Sequence, residues 1–318
     1  MIHSRISGTG SYLPEKVLTN SDLEKMVDTS DEWIRTRTGI ERRHVAADGE
    51  TTVDLAEHAA RRALDAAGVA PQDVDFIAFG TTTPDLVFPN CGVLLQARLG
   101  CRNVPAFSVE TACAGFMYAL SIADKYVRCG EARRALVIGA ETLSRITDWN
   151  DRSTAVLFAD GAGAVVLEPG TEPGVLSTHL HADGHYKDLL YCASGVSKGF
   201  GAKLAIIMSG NEVFKVAVTK LGLAVDEALA ANGLDRSALD WLVPHQANIR
   251  IIQATARKLD LPMERVIVTV QEHGNTSAAS VPLALDVAVR DGRIKRGDLL
   301  LLEAFGGGFT WGSALVRY

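Results

Sequence analysis

The 318-residue sequence has no excess of positive charge: 32 Lys+Arg stand against 38 Asp+Glu, a formal net charge of −6 with a pI near 5.8. Sequence-independent affinity for nucleic acid rests on clustered positive charge, so a polyanion binder is excluded and any basic site must be local. Long apolar runs are missing too. Ala135–Ala140 and Ala162–Leu167 fall far short of the ~20 residues that span a bilayer, and read instead as buried strands. The opening MIHSRISGTG has no secretory apolar segment. The cysteines (Cys91, Cys101, Cys113, Cys129 and Cys192) are odd in number and form no CxxC pair, which argues against a disulfide framework and against a zinc site. No GK[ST] follows a glycine loop and no convincing GxGxxG opens a helix, so nothing marks a phosphate loop or a dinucleotide site. These absences lead us to expect a cytoplasmic protein with reduced thiols, no metal, no membrane and no nucleic-acid partner.

Hydrophobic residues make up 47% and charged residues 22%, enough for a sizeable core. Helical and strand patterns alternate from end to end. Ser21-Asp-Leu-Glu24 reads as a capping box. Helical spacing covers Val53–Ala67, Cys91–Leu99, Cys113–Cys129, Asn211–Ala231, Ile249–Leu259 and Ser277–Arg290. Short apolar strands fit Val74–Phe79, Val104–Val109, Leu136–Ala140, Ala162–Leu167, Trp241–Val243, Leu299–Ala304 and Ser313–Arg317. This pattern predicts α/β layers. Ala63–Ala78 echoes Ala228–Val243 at a constant offset, and Phe158–Val166 echoes Phe309–Val316 more weakly; two echoes in the same order favour a duplicated half. The turn-rich EPGTEPG places the boundary near Pro169–Pro173, giving halves of 1–171 and 172–318. Leu180–Lys203 reads as an irregular surface excursion.

Thr111-Ala-Cys-Ala-Gly-Phe116 sets Cys113 between small residues, after a strand and at the start of a long apolar helix. Unpaired N–H groups and the macrodipole there favour an anion, so the pattern predicts a lowered thiol pKa and a candidate nucleophile. A small buried hydrophobe is the competing reading. His245, in Pro244-His-Gln-Ala-Asn248, stands at a strand's C-terminal end, where α/β sheets place ligands. Asn275 precedes a helix and is a donor candidate or merely a turn residue. Glu303-Ala-Phe-Gly-Gly-Gly-Phe309 offers a glycine turn able to hold an oxyanion through its N–H groups. A Cys/His/Asn set also serves thiol proteases, but the cysteine environments of those families are absent.

At these residues the chain resembles the thiolase-like condensing enzymes, and within them the bacterial β-ketoacyl-acyl-carrier-protein synthase III family. The likeness runs through GTGSYLPE, DEWIRTRTGI, ETACAGF, PHQANIR, GNTSAASVP and AFGGGFTWGSALV, in order along essentially the whole chain. It implies a duplicated αβαβα five-layer fold with mixed sheets, usually homodimeric. It implies Cys113 as acyl-accepting nucleophile, His245 and Asn275 as the decarboxylation pair, and the N–H groups of Cys113 and Gly307 as the oxyanion hole. It further implies a coenzyme A site of Trp33, Arg37, Thr38, Arg152, Phe214, Asn248 and Arg250, with Phe88 crossing the dimer interface to limit the acyl pocket. Acetyl-CoA is then a substrate, no cofactor is needed, and a malonyl-loaded acyl carrier protein is the partner. For that carrier, Arg250 and Arg257, seven apart on one helix face, with Lys258 and Lys215, form the expected docking patch. The alternatives are a related condensing enzyme with another starter or extender in secondary metabolism, and a catalytically silent carrier-binding subunit.

Overall fold

The computed structural model describes residues 2–199, 201 and 203–318. Two mixed sheets are built on one plan. In the first, strands run in the order His3–Tyr12, Asp160–Gly170, Ala135–Thr142, Phe76–Gly80, Ala106–Val109. Phe76–Gly80 is parallel to both neighbours, and the other two pairings are antiparallel. The second sheet repeats this order as Val175–Ala182, Thr310–Arg317, Leu299–Gly306, Trp241–Pro244, with the last pair parallel. A single parallel bridge from Leu242 to Val266 stands where the first sheet has its fifth strand.

Because both faces of each sheet are covered, the inner strands are mostly apolar on both sides rather than alternating with polar residues. In Ala135–Thr142, Leu136, Ile138 and Ala140 join the outer core beneath helices Thr52–Ala67 and Cys91–Leu99, while Ala135 and Val137 join the central core. The central core also takes Phe116, Met117 and Leu120 of helix Gly115–Arg128 and Val281, Ala284 and Leu285 of helix Ser280–Arg290. Helices Gly210–Ala231 and Ile249–Lys258 close the far side. The result is the five-layer αβαβα fold, and the two echoed segments occupy matching places in the two sheets.

Several local expectations are corrected. The capping box is built by Thr19 and Asp22 around the one-turn helix Asn20–Leu23, not by Ser21 and Glu24, because Thr19 holds the extended backbone that lets its hydroxyl reach back to the Asp22 N–H. Cys113 and Ser277 do not begin α-helices: each lies in a 3₁₀ turn, Ala112–Ala114 or Ser277–Ala279, that leads into one. The strand His3–Tyr12 was not anticipated. Nor is Leu180–Lys203 wholly irregular: it contributes the end of Val175–Ala182 and the strand Leu190–Cys192, paired to Ile206–Met208.

Candidate active site

The two 3₁₀ turns meet where the halves join. The first starts at Ala112, whose φ of +46° is a left-handed conformation costing an L-residue about 1–2 kcal/mol; the second starts at Ser277 with φ +51°. Gly306 makes the approach of the glycine turn to Cys113 possible, since a Cβ there would sit 2.5 Å from the Cys113 nitrogen. Thr310 staples the two together, its hydroxyl lying 2.9 Å from the Thr111 carbonyl and 3.2 Å from that of Gly307.

The segment Asn275–Ser280 carries Asn275 and the serine that bonds His245. The Ser277 N–H donates to Asn275 Oδ1 at 3.0 Å, which leaves the Asn275 NH₂ as the free end of the carboxamide. The Ser277 hydroxyl donates to Glu141 Oε1 at 3.1 Å, and Ser277 and Cys113 line the same cavity. Ser280 Oγ bonds His245 Nδ1 and accepts the Gln246 N–H at 3.4 Å; we assign the Ser280 proton to Nδ1 and hence the ring proton to Nε2. His245 itself is placed by its backbone N–H, which donates to the Glu303 carbonyl at 2.8 Å.

Burial sets the protonation states. Desolvation drives His245 down to about 4, so the ring is a neutral donor through the physiological range. The same cause pushes Cys113 up to about 12, offset in part by Ser277 and reinforced by Glu141. This reverses the lowered pKa expected from the sequence: the turn's N–H groups are present, but loss of water outweighs them. Glu141, on Ala135–Thr142, is fully buried and its pKa is raised by desolvation, although the Thr81, Thr82 and Thr83 hydroxyls, the N–H groups of Thr82 and Thr83 and the Ser277 hydroxyl all point at its carboxylate.

Cys113, Ser277 and Gly307 line a cavity of about 720 Å³ that continues between Thr83, Leu143 and Ile206. Phe88 is not on its wall; it is 81% exposed, beside exposed Leu86 and Val87. The residues expected to take coenzyme A gather elsewhere on the surface. The Arg152 guanidinium lies 5.0 Å from the Trp33 ring centroid and that of Arg37 5.9 Å, while Arg250 lies 5.5 Å over Phe214. Asn248 caps its helix by accepting the Arg250 N–H at 2.8 Å. Thr38 is buried, donating to the Ile34 carbonyl and accepting the Ile40 N–H, so its hydroxyl is committed to its own helix end. Of the basic patch, Arg250, Arg257 and Lys258 are exposed on one helix, with Ile252, Ala256 and Leu259 buried beneath as expected; exposed Lys215 pairs with Glu212. Among the described residues no cluster of three His, Cys, Asp or Glu is arranged to hold a metal, and no helix is long and apolar enough to cross a membrane.

Sequence reasoning missed Ser277, Ser280 and Glu141. The serines were visible in GNTSAAS, but nothing local signals that one reaches a buried carboxylate and the other an imidazole; Glu141 lies in a run that reads only as buried strand.

A doubled, five-layered fold with a thiol at the junction of its halves is the layout of the thiolase-like condensing enzymes. The 3-oxoacyl-[acyl-carrier-protein] synthase III family model matches residues 107–184, and its C-terminal counterpart matches residues 229–318. The chain is 66% identical to the beta-ketoacyl-[acyl-carrier-protein] synthase III of Xanthomonas campestris pv. campestris, across 100% of this chain and 99% of that one. It is 64% identical to the protein so named in Thioalkalivibrio sulfidiphilus, across 100% of both. The crystal structure of 3-oxoacyl-[acyl-carrier-protein] synthase III from Aquifex aeolicus superimposes with a TM-score of 0.95 at 48% identity, covering 99% of this chain and 100% of that one. The chain belongs to the β-ketoacyl-acyl-carrier-protein synthase III family and is an acyltransferase of the condensing type that initiates fatty-acid synthesis.

Proposed function

We propose that the chain joins acetyl-CoA to malonyl-acyl-carrier protein, giving acetoacetyl-acyl-carrier protein, CoA and CO₂, with Cys113, His245 and Asn275 as the reacting set. Cys113 sulfur attacks the acetyl thioester and coenzyme A leaves as the thiol, so one difficult condensation becomes two easier steps. Malonyl-carrier protein then loses CO₂. The enolate oxygen is held by His245 Nε2–H and the Asn275 NH₂, and its carbon attacks the acetyl group while the N–H groups of Cys113 and Gly307 hold the oxyanion. Neutral, fixed donors suit this, since each is worth roughly 3–4 kcal/mol at an oxyanion.

The observation that carries the reading is the burial of His245 with Nδ1 bonded to Ser280: the imidazole is neutral, and with Nδ1 accepting from that hydroxyl its Nε2 is the donor an enolate needs. Trp33 with Arg152 supports adenine stacking, and Arg37 and Arg250 are suited to the coenzyme A phosphates. Arg250, Arg257, Lys258 and Lys215 are suited to an acidic carrier. Exposed Leu86, Val87 and Phe88 are accounted for by a second copy of the chain, the homodimer whose partner Phe88 would reach. The test is incubation with acetyl-CoA alone, read by intact mass and peptide mapping. One acetyl group on the Cys113 peptide is the expected result; full condensation activity with that peptide unmodified ends the proposal.

A further inference from the structure

Arg43 is the one Lys or Arg among the described residues that is wholly buried. Every acceptor its side chain reaches is uncharged: the Leu18 carbonyl at 3.3 Å, Asn20 Oδ1 at 2.9 Å and the Val156 carbonyl at 3.1 Å. Its Nε has no hydrogen-bond partner. Desolvation brings the guanidinium down to about 10, so it still carries its charge at neutral pH. An apolar side chain of similar size would fill the space without the penalty of a desolvated charge. The use of the guanidinium lies in where its bonds lead.

They lead to both walls of the Trp33–Arg152 pair. Val156 is the residue that ends the one-turn helix Arg152–Ala155. Asn20, itself buried, clasps the helix that carries Trp33, Asp31–Thr38. Its NH₂ donates to Asp31 Oδ1 at the helix start and to the Ile40 carbonyl just past the end, each at 2.8 Å. A single guanidinium nitrogen, Nη2, bonds both Asn20 and Val156. The residues after Val156 in turn grip the backbone of Asn275: its N–H donates to the Leu157 carbonyl and its carbonyl accepts the Ala159 N–H, both at 2.9 Å. Arg43 reaches that side as well, since a Cβ added at Gly274 would stand 3.3 Å from the Arg43 Cβ.

We propose that Arg43, acting through Asn20, is a positioning residue for coenzyme A: it fixes the Trp33 and Arg152 walls of the adenine site against each other and at a set span from the segment that holds Asn275. This rests on the reading of Trp33 and Arg152 as that site. A thioester anchored by its adenine reaches the reacting groups only if the span is right. Trp33 and Arg152 stand on short surface elements, and ordering them on binding would cost affinity. A buried strut meets that cost during folding. Because the same contacts serve ground state and transition state, its loss appears in KM and not in kcat.

Two substitutions test the strut. Arg43→Met keeps most of the volume and removes the bonds, whereas Asn20→Ala keeps the buried arginine and disconnects it from the Trp33 helix. Condensation is measured at saturating malonyl-carrier protein while the starter is varied, once as acetyl-CoA and once as acetyl-pantetheine, which has the thioester arm without the nucleotide. Each variant is expected to raise KM for acetyl-CoA about tenfold, the worth of one cation–π contact. Its kcat, and both constants for acetyl-pantetheine, should stay within about twofold of the parent. Trp33→Ala should raise the same KM, and Asn20→Ala added to it should raise it little further, because the clamp is already gone. A role confined to folding would depress both thioesters alike. A parental KM for acetyl-CoA in either variant, an equal loss with the two thioesters, or additive effects with Trp33→Ala overturns the proposal; if Arg43→Met does not fold, Asn20→Ala decides alone. A parental KM in Trp33→Ala would instead remove Trp33 from the coenzyme A site and take the proposal with it.

Discussion

Glu141 and Glu303 are both wholly buried, one near the end of a central strand in each sheet, and they are treated in opposite ways. Glu141 is ringed by threonine donors and by Ser277, whereas neither carboxyl oxygen of Glu303 has a hydrogen-bond partner among the described residues. Desolvation, unopposed, lifts Glu303 to about 8, so at neutral pH it is held mainly as an uncharged acid beneath the outer helices of its sheet. The first half thus surrounds its acid with donors. The second keeps its acid silent and gives the site neutral donors, His245 and Asn275. A duplicated scaffold has been divided by solvation: the same depth of burial meets converging donors at Glu141 and none at Glu303.

The comparison can be broken first at Cys113, the nucleophile carried by the first half. Cys113→Ala should lower condensation by roughly 10⁴-fold or more in a coupled assay while the circular-dichroism melt is retained, since nucleophile removal in such sites costs on that scale. Next comes the neutral-donor side. Asn275→Ala should slow malonyl decarboxylation by about 10²–10³-fold and leave acetyl transfer to Cys113 much less affected; equal losses in the two half-reactions would merge roles assigned to opposite halves.

Glu303 gives a smaller effect, on stability. Its folded pKa of about 8 lies above the ordinary value of 4.5, so between those limits the folded state holds a proton that the unfolded state has lost. Stability therefore falls as pH rises through that window. Glu303→Gln should remove this slope and gain a few kcal/mol in urea unfolding near pH 8, with acylation unchanged; a stability loss at that pH would mean the carboxyl is charged and paired. The smallest effect belongs to the solvated rim. Arg250→Glu with Arg257→Glu should raise KM for malonyl-carrier protein several-fold at low salt, with the difference shrinking as salt screens it. An insensitive KM would confine the electrostatics of function to the buried floor.

Much of the layering was legible. The all-apolar strands and the amphipathic helices stopped by Gly68 and Gly100 follow from periodicity and left-handed caps, and the paired echoes announced the repeat. The strand His3–Tyr12 was not legible because Gly8 and Gly10 weaken its pattern. They are there because a side chain at either would run into helix Thr52–Ala67, a tertiary requirement. The site divided similarly. Cys113, His245 and Asn275 stand out by type and position, whereas Glu141 looks like one polar break in a strand until Thr81–Thr83 and Ser277 are seen around it.

The amino-acid order by itself determined the alternation of strands and helices, the small residues flanking Cys113 and the glycine turn after Glu303, since these depend on backbone sterics and side-chain periodicity within a few residues. Only the tertiary structure decided the protonation states. A thiol, an imidazole and two carboxyls take their charge from how much water is removed and which donors replace it, and those donors arrive from residues 35 to 136 positions away.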